Sequence, residues 1–379
     1  MNKSIRILGA AFGNSRNENT YSGVPKYLFS AIEKQAKIVA YLSTGQLRPW
    51  DIIEGALDFS KIFKYGKPGF NVKWLWRRKT VDKLSARFKT HLAKINDFNV
   101  IFQMGTHVHL SLKGIRHYCR TDMTVLQGIE AKQFGMDRIK GSRISEAVES
   151  QKMIFESCDG IFVNSNWTKQ SIVDDYEVPT EKIHTIGAGA SVSLDVDMED
   201  KRPNHNILFV GRDWERKGGP LLLEVFKRVK KHIPSAKLTI IGCSPVISES
   251  NVEVLGCLDK NNPNQKCIMD EAYLNATILC VPSLFDPFGM CWLEAQYCGV
   301  IPITFTGEGR SEAIKDGVTG ILVKERSSEA LSEIILDLFD NPGRIRKMSM
   351  TAYTFAKNNF SWDHVADKII NVIKKDKLF

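Results

Sequence analysis

The chain has 379 residues, of which 43% are hydrophobic and 25% charged, a composition typical of a folded protein with more than one core. No run is long and apolar enough to cross a membrane. The early run 5–13 contains Arg6, which favours a first strand over a signal peptide. The eight cysteines show no CxxC spacing, so we expect neither disulfides nor a metal site, as is usual for a cytoplasmic protein.

The formal net charge of +9 is concentrated in the segment 61–94, where lysine and arginine far outnumber a single acid, Asp82. Trp74 and Trp76 lie beside these cations, a combination typical of contact with an anionic membrane surface or another polyanion. The segment also predicts a solvated helix, because one apolar stripe recurs at helical spacing: Val81, Leu84, Phe88, Leu92 and Ile95. Both interpretations can hold at once, and we expect no nucleic-acid partner.

In the first half of the chain, apolar runs of strand length alternate with helical patterns. Helices are predicted at 24–34 and 145–157. Strands are predicted at 5–8, 37–42, 99–103, 123–127, 160–165 and 182–186. The alternation predicts an α/β domain with a mainly parallel sheet over 1–190.

A polar, acidic stretch without periodicity, 191–205, predicts a linker. Its Asp195-Val-Asp197 spells DxD, but away from a strand end, so solvated linker charge is favoured over a metal site. The α/β pattern restarts in a second domain, 206–360. Strands are predicted at 206–211, 238–242, 252–256, 277–283, 301–305 and 320–323, and helices at 220–232, 264–275 and 287–298. A last helix, 362–375, closes the chain. Because ligands of doubly wound sheets bind beyond the carboxyl ends of the strands, the residues that follow each strand are the candidates.

Two cations follow the first strand of the second domain. Arg212 and Lys217 stand in a loop that leads directly into a predicted helix. Arginine binds phosphate oxygens through paired donors, lysine acts as a point charge, and the helix amides add partial positive charge. The loop is therefore a candidate diphosphate site, although a solvated basic loop is the simpler alternative.

The segment 281–299 sets Asp286 just before a predicted helix and Glu294 inside it. We expect Asp286 to be the N-cap, Pro287 to be the first helical residue, and Gly289 to let backbone amides approach an anion. Glu294 would lie about 12 Å along the axis at ~1.5 Å per residue, close to the distance between the sugar and the ribose of a nucleotide sugar. The alternatives are that Asp286 only caps the helix and that Glu294 is a surface residue.

FVGRDWERKGG and, further along, DPFGMCWLEAQYCGVIPI resemble the retaining GT-B glycosyltransferases of glycosyltransferase family 4, whose motif reads roughly EPFGxxxLEAxAxGxP. The resemblance continues over nearly the whole chain in CDGIFVNSNWTKQSIV, VPTEKIHTIGAGAS and FSWDHVADKIINVI. GEGRSEAIKDGVTGILV is similar to the family's GGxxE…G.TG.LV segment. The resemblance implies a GT-B fold, α/β, with two Rossmann-like doubly wound domains facing across a cleft and a C-terminal helix, about 361–379, completing the first.

The resemblance also implies roles for the residues that match. Arg212 and Lys217 would hold the diphosphate of a nucleotide-sugar donor, Asp286 would bind the donor sugar, and Glu294 would bind the ribose. The implied donor-binding positions are Gly23, Arg212, Lys217, Phe288, Gly289, Met290 and Glu294. No cofactor is implied besides the nucleotide sugar as substrate, and no metal.

Two positions depart from the family pattern. Asp286 stands where the motif has glutamate, which is one methylene longer, so its contact to the sugar is expected to shift or to select another sugar. Met123 stands where the family often has a histidine near the reacting carbon. Asp122 beside it, and His107 and His109 in GTHVH, are candidate substitutes on the acceptor side.

The implied reaction moves a hexose, with retention, from a UDP- or GDP-sugar to a hydroxyl of a carbohydrate or lipid-linked acceptor. Synthesis of a glycan, glycolipid or cell-surface polysaccharide at the cytoplasmic face of a membrane would use such a reaction. The loops 256–260 and 308–312 are expected to help read the base and the sugar. A nucleotide-sugar-binding subunit with little catalysis is an alternative. An NAD-dependent oxidoreductase is a remoter one, since Gly187-Ala-Gly189 is followed by Val192 where a third glycine is due.

Overall fold

The computed structural model describes residues 4–59, 69–192, 194, 196–199, 201 and 203–376, which form two compact units. The first unit comprises Met1–Thr20, Pro25–Ile186 and Ala366–Phe379, and the second comprises Tyr21–Val24 and Gly187–Val365. Across the described ranges, no helix combines the length and the apolar character needed to cross a membrane.

The first unit is built on a parallel sheet with the strand order β2-β1-β5-β6-β7-β8. Its strands are β1 (Arg6–Ala11), β2 (Lys37–Ser43), β5 (Val100–Met104), β6 (Arg116–Thr121), β7 (Gly160–Val163) and β8 (Ile183–Thr185). A separate antiparallel pair consists of β3 (Leu57–Asp58) and β4 (Gly69–Phe70). Every residue of β5 is buried, as expected for a strand in a sheet covered on both faces.

The helices of the first unit lie between these strands. They are α1 (Val24–Glu33), α2 (Pro49–Ile53), α3 (Val72–Leu75), α4 (Arg78–Leu92), α5 (Val125–Glu130), α6 (Ser142–Ser157) and α7 (Asn166–Asp174). Short 3-10 turns occur at Thr20–Gly23, Met136–Arg138 and Thr180–Lys182. The apolar stripe predicted on α4 is confirmed, because Val81, Leu84, Phe88 and Leu92 are all buried.

The two tryptophans of the basic segment belong to the core. Trp74 is 2% exposed and Trp76 is 8% exposed, so neither is available to a membrane surface. On the neighbouring α4, Lys83 and Arg87 both pair with the buried carboxylate of Asp51. The prediction that the tryptophans face an anionic partner is therefore wrong, since burial of their large apolar rings outweighs any surface role. Residues 61–68 of this segment lie outside the described residues.

The strand predicted at 123–127 is also wrong. The strand is β6, and residues 125–130 form α5 instead. Thr124 Oγ1 accepts a hydrogen bond from the Gln127 amide at 3.1 Å, while Gln127 Oε1 accepts one from the Thr124 amide at 3.0 Å. This reciprocal pair is a capping box, which begins a helix where the apolar pattern suggested a strand.

β6 lacks an apolar run because it carries buried polar side chains, each with a partner. His117 Nε2 lies 3.0 Å from Gln103 Oε1. Arg120 Nη2 donates to Asn164 Oδ1 at 2.7 Å. Such pairing lets polar residues occupy a buried strand, and no pattern based on hydrophobicity can detect it.

The second unit contains a parallel sheet with the order β11-β10-β9-β12-β13-β14. Its strands are β9 (Asn206–Val210), β10 (Lys237–Ile241), β11 (Val252–Gly256), β12 (Ile278–Cys280), β13 (Ile301–Phe305) and β14 (Ile321–Val323). The order reverses between β9 and β12, which makes their carboxyl ends the expected ligand position.

The helices that follow the strands of the second unit largely confirm the predicted positions. They are α8 (Gly219–His232), α9 (Pro263–Asn275), α10 (Met290–Tyr297), α11 (Arg310–Ala313), α12 (Ser328–Phe339), α13 (Pro342–Asn359) and α14 (Trp362–Lys375). From Ala366 onward α14 belongs to the first unit, where Asp376 Oδ2 accepts a hydrogen bond from Tyr118 Oη at 2.6 Å.

Candidate functional site

Two loops of the second unit meet at the carboxyl ends of β9 and β12. Gly218 has φ +76°, and a Cβ on it would lie 2.0 Å from the Pro282 carbonyl oxygen. Only glycine therefore allows this approach. The Leu284 amide donates to the Arg216 carbonyl at 2.9 Å, and Arg216 Nη1 donates to the Phe285 carbonyl at 2.8 Å. These contacts hold the loop that carries Arg212 and Lys217 against the loop that carries Asp286.

Lys217 and Asp286 form a hydrogen-bonded ion pair at this junction. Their side chains are 12% and 11% exposed, so little water separates them. Burial raises the pKa of Asp286, but the positive charges of Lys217 and, after it, Arg216 and Arg310 together lower it by more. The net pKa of Asp286 therefore lies below its usual range. Asp286 is consequently ionised at neutral pH and fixes the Lys217 ammonium in the site.

The helix after Asp286 begins later than the sequence predicted. Its first residue is Met290 and its N-cap is Gly289, so Asp286 is not the N-cap and Pro287 is not the first helical residue. Gly289 is left-handed at φ +53°, and a Cβ there would lie 2.3 Å from the Trp292 ring, which forces the loop to end on glycine. The Gly289 amide, expected to face a phosphate, donates to Asp286 Oδ1 at 3.0 Å. Phe288 is buried and Met290 is partly buried.

Glu294 is 3% exposed, so the alternative of a surface residue is wrong. Its Oε1 lies 3.0 Å from Lys260 Nζ, and its Oε2 accepts a hydrogen bond from Tyr273 Oη at 2.8 Å. Burial, followed by the Glu294 charge, raises the pKa of Tyr273 well above its usual value, so the phenol keeps its proton. A buried carboxylate is thus held between a cation and a phenol, with lone pairs left for another donor.

Arg212 occupies the same strand end but remains exposed. Over the ranges described above, it forms no hydrogen bond or ion pair with another residue. An unpaired, exposed guanidinium beside the engaged Lys217 leaves a fork of donors open to an anion.

Sequence reasoning assigned no individual role to two further charged residues at this edge. Arg310 is fully buried; its Nη1 donates to the Phe305 carbonyl at 2.9 Å, and its guanidinium lies 5.6 Å from the centre of the Trp292 ring. Arg310 Nη2 also lies 2.7 Å from Glu308 Oε2. The sequence predicts that the loop 308–312 helps to recognise the base and the sugar of the donor. No spacing rule indicates, however, that an arginine in such a polar loop is buried.

The first unit holds the acceptor-side candidates at the ends of two adjacent strands, β5 and β6. His107 follows β5 and is buried, with Nε2 3.0 Å from Thr44 Oγ1 and its ring centre 4.4 Å from that of Phe12. Burial lowers the pKa of His107 to about 4. The imidazole is therefore neutral at physiological pH, which leaves it unable to act as a cation.

His109 is half-buried, and its Nδ1 lies 3.1 Å from Lys89 Nζ. Burial and the charge of Lys89 lower its pKa. Nε2 of His109 has no hydrogen-bond partner in the part of the chain that the structure describes. His109 Nε2 is thus a buried ring nitrogen whose hydrogen-bonding capacity the described residues do not use.

Asp122 and Met123 follow β6 directly. Asp122 is exposed, and its carbonyl accepts a hydrogen bond from Thr168 Oγ1 at 2.6 Å. Met123 is half-buried, and its carbonyl accepts one from Thr121 Oγ1 at 2.6 Å.

Burial lowers the pKa of nearby Arg120 to about 10 although the Asp122 charge opposes the shift, so Arg120 stays charged. Because β5 and β6 are neighbours, Asp122 and His107 share one edge of the sheet.

Two glycine loops complete the set of predicted positions. Gly23, at φ +86°, immediately precedes α1 and follows Tyr21 and Ser22, which are also left-handed at φ 45° and 57°. Gly189 follows β8, and a Cβ on it would lie 2.6 Å from the Trp362 ring. Among the residues described, no helix lies between this second loop and the next strand, β9. Gly187-Ala-Gly189 is therefore not a dinucleotide fingerprint, which must lead directly into a helix.

Solved structures with the same architecture define the class of fold. Sucrose-phosphate synthase from Thermosynechococcus elongatus matches with a TM-score of 0.67 at 15% identity, covering 98% of each chain. Anabaena HepE in complex with UDP and glucose matches with a TM-score of 0.61 at 12% identity, covering 98% of this chain and 100% of HepE. The protein therefore has the GT-B fold, two parallel-sheet α/β domains, and the predicted fold class is confirmed.

Sequence comparisons refine the class. Residues 198–355 match the family model of glycosyl transferases group 1. The uncharacterized glycosyltransferase MJ1607 of Methanocaldococcus jannaschii is 23% identical over 76% of this chain and 77% of its own length. The D-inositol 3-phosphate glycosyltransferase of Corynebacterium aurimucosum is 24% identical over 59% of this chain, which spans only 58% of that relative. These findings support a transferase of the glycosyltransferase class.

Proposed function

We propose that this chain is a retaining glycosyltransferase that moves a hexose from a UDP- or GDP-sugar to an acceptor hydroxyl, in the synthesis of a glycan, glycolipid or cell-surface polysaccharide. The observation that carries the proposal is the buried Lys217–Asp286 pair beside the unpaired Arg212. This pair lies at the carboxyl ends of β9 and β12, where the sheet order reverses. HepE, a protein of the same fold, has been crystallised with UDP and glucose, which supports a nucleotide-sugar donor.

In the proposed reaction, the bond between the sugar and the diphosphate breaks through an oxocarbenium-like state, and negative charge grows on the departing diphosphate. Lys217 and Arg212 stabilise that growing charge more than the ground state, which is the requirement for a rate effect. A leaving phosphate oxygen takes the acceptor proton, so the reaction does not depend on a histidine at Met123. Because the chain supplies the cations itself, the proposed reaction needs no metal ion.

Glu294 would hold the ribose hydroxyls. Its carboxylate is positioned by Lys260 and Tyr273, so ordering it on donor binding costs little conformational entropy. Asp286 keeps the Lys217 ammonium in place.

Incubation with a panel of UDP- and GDP-hexoses tests the proposal, since slow release of UDP or GDP reports activation of the donor. Lys217→Ala is expected to lower this release by about 100-fold or more, as loss of one charge-stabilising group does elsewhere. Lys231→Ala, on the exposed end of α8, is the matched control and should behave as wild type. Near-normal turnover by Lys217→Ala would refute the assigned role.

A nucleotide-sugar-binding subunit with little catalysis is the second candidate. It is favoured by Met123, which offers no proton-transferring group, and by Asp286, whose two oxygens are both engaged within the chain. The same panel separates the two functions. Donor binding by calorimetry without any release of free nucleotide identifies the subunit, whereas release identifies the enzyme.

The acceptor is a carbohydrate or lipid-linked hydroxyl, reached at the cytoplasmic face of an anionic membrane. With Trp74 and Trp76 buried, this contact rests on the exposed cations in the described part of the basic segment, namely Lys73, Arg77, Arg78, Lys79 and Lys94. Anionic liposomes should therefore float the protein at low salt and release it at high salt. Failure to associate with vesicles of 30% phosphatidylserine at low salt would remove the membrane from the proposal.

A further inference from the structure

Glu308 is a strained residue at the edge of the proposed donor site. It follows β13, the strand next to β12, and its backbone is left-handed at φ 39°. A left-handed conformation is unfavourable for any side-chain-bearing residue and is kept where the surroundings enforce it, often at functional sites. In the GGxxE pattern that this segment resembles, glycine occupies this position, so the strain comes with a carboxylate that the pattern lacks.

The loop that carries Glu308 is fixed against the loop that carries Asp286. The Gly309 amide donates to the Pro287 carbonyl at 3.2 Å. Arg310, immediately after it, is fully buried, and its Nη2 lies 2.7 Å from Glu308 Oε2. Within the described residues, Arg310 Nε and Nη2 lack a hydrogen-bond partner of good geometry, so this guanidinium has donor capacity that the chain does not use.

Both carboxylate oxygens of Asp286 already have a partner within the chain. Oδ2 is bound by Lys217, and Oδ1 accepts from the Gly289 amide, so both oxygens are turned toward the protein. The side chain is also one methylene shorter than the glutamate of the motif it resembles. Glu308 is about as exposed as Asp286, with 12% of its side chain accessible against 11%, but it carries its carboxylate on one more methylene. Burial is the main cause that raises the pKa of Glu308 above its usual value. The charges of Arg310 and Arg326 lower this pKa, and the like charge of Asp286 raises it, without changing the direction of the net shift.

We propose that Glu308 is a specificity-determining residue of the donor site, whose carboxylate, positioned by Arg310, binds a hydroxyl of the transferred sugar in place of the shortened Asp286. The inference rests on the proposed function and concerns recognition of the sugar part of the donor. It predicts that Glu308 contributes to binding of the sugar and not to binding of the nucleoside diphosphate.

Isothermal titration with UDP, GDP and a panel of their hexose conjugates tests this division. The quantity of interest is the ratio between the affinity for the preferred nucleotide sugar and the affinity for its free nucleoside diphosphate. Glu308→Gln and Glu308→Gly are expected to lower that ratio by about 10-fold or more, the usual effect of losing a hydrogen bond to a charged group. Affinity for the free nucleoside diphosphate should stay at the wild-type value.

Two controls keep the outcome clear. Glu308→Gly relieves the left-handed strain but leaves buried Arg310 without its carboxylate, so the melting temperature of each variant is measured first and the titrations are run where all proteins are folded. Glu325→Gln removes an exposed acid after β14 and should leave the affinity ratio unchanged. An unchanged ratio in both Glu308 variants, or a parallel loss of affinity for the free nucleoside diphosphate, would overturn the inference. Absence of any nucleotide binding by wild type would instead overturn the proposed function.

Discussion

At the scale of single residues, the candidate site is a set of charges that the chain has balanced almost completely. Lys217 is balanced by Asp286, and Glu294 by Lys260. Both pairs are largely buried, where an unpaired charge would be costly. Arg212 is the exception, exposed and without a partner in the described structure, which is the arrangement expected of a cation that awaits an anion.

The Lys217–Asp286 pair has a pH signature. Because the folded pKa of Asp286 is lowered, its carboxylate contributes stability that is fully present above the unfolded value and is lost as the pH falls through the folded one. Asp286→Asn is expected to lower the free energy of unfolding by about 3 kcal/mol at neutral pH, since it leaves a buried ammonium unpaired. The gap between wild type and variant should shrink as the pH falls below about 4.

Denaturant unfolding from pH 3 to pH 7 measures that gap. Asp340→Asn, at the exposed end of α12, provides the control and should track wild type throughout. A gap for Asp286→Asn that stays constant or widens toward low pH would contradict the assignment of a stabilising ion pair.

At the scale of elements, the site exists because two loops approach closely at the carboxyl ends of β9 and β12. The approach depends on Gly218, whose neighbour across the gap is the Pro282 carbonyl. The loop after β13 joins them through Gly309 and Pro287. Three loops from three consecutive positions in the sheet thus support one cluster of side chains, as is usual for open α/β sheets.

Comparing Gly218→Ala with Gly317→Ala should distinguish the effect of displacing the loop from the effect of a strained backbone. Gly317 is the matched control, because it is left-handed at φ +70° like Gly218 at φ +76°, but a Cβ on it would meet nothing within 4 Å. Both alanine variants should lose about 1 kcal/mol of stability from the left-handed backbone. Only Gly218→Ala should also lose donor turnover, since its Cβ pushes Lys217 away from Asp286. Equal turnover in the two variants, measured by nucleotide release, would argue against a loop position set by Gly218.

At the scale of the whole molecule, much of the architecture could be predicted from the sequence. The strands of the second unit are short apolar runs followed by turn residues, and these alone predict β9, β12 and β13. The positions of Lys217 and Asp286 after those strands could be predicted for the same reason, and their contact in the structure follows from strand order.

The features that could not be predicted depend on contacts between distant parts of the chain. The polar β6 is stabilised by Gln103 and Asn164, and Trp74 and Trp76 are buried in spite of their basic neighbours. The late start of α10 follows from the packing of Trp292 against Gly289. None of these contacts leaves a periodic signal in the sequence, so only the folded chain reveals them.

The most direct test of the central claim is a crystal structure of the protein soaked with UDP or with GDP. We expect the diphosphate to contact Arg212 and Lys217, and the ribose hydroxyls to donate to Glu294. A nucleotide bound elsewhere, or bound with Arg212 and Lys217 turned away from its phosphates, would contradict the account.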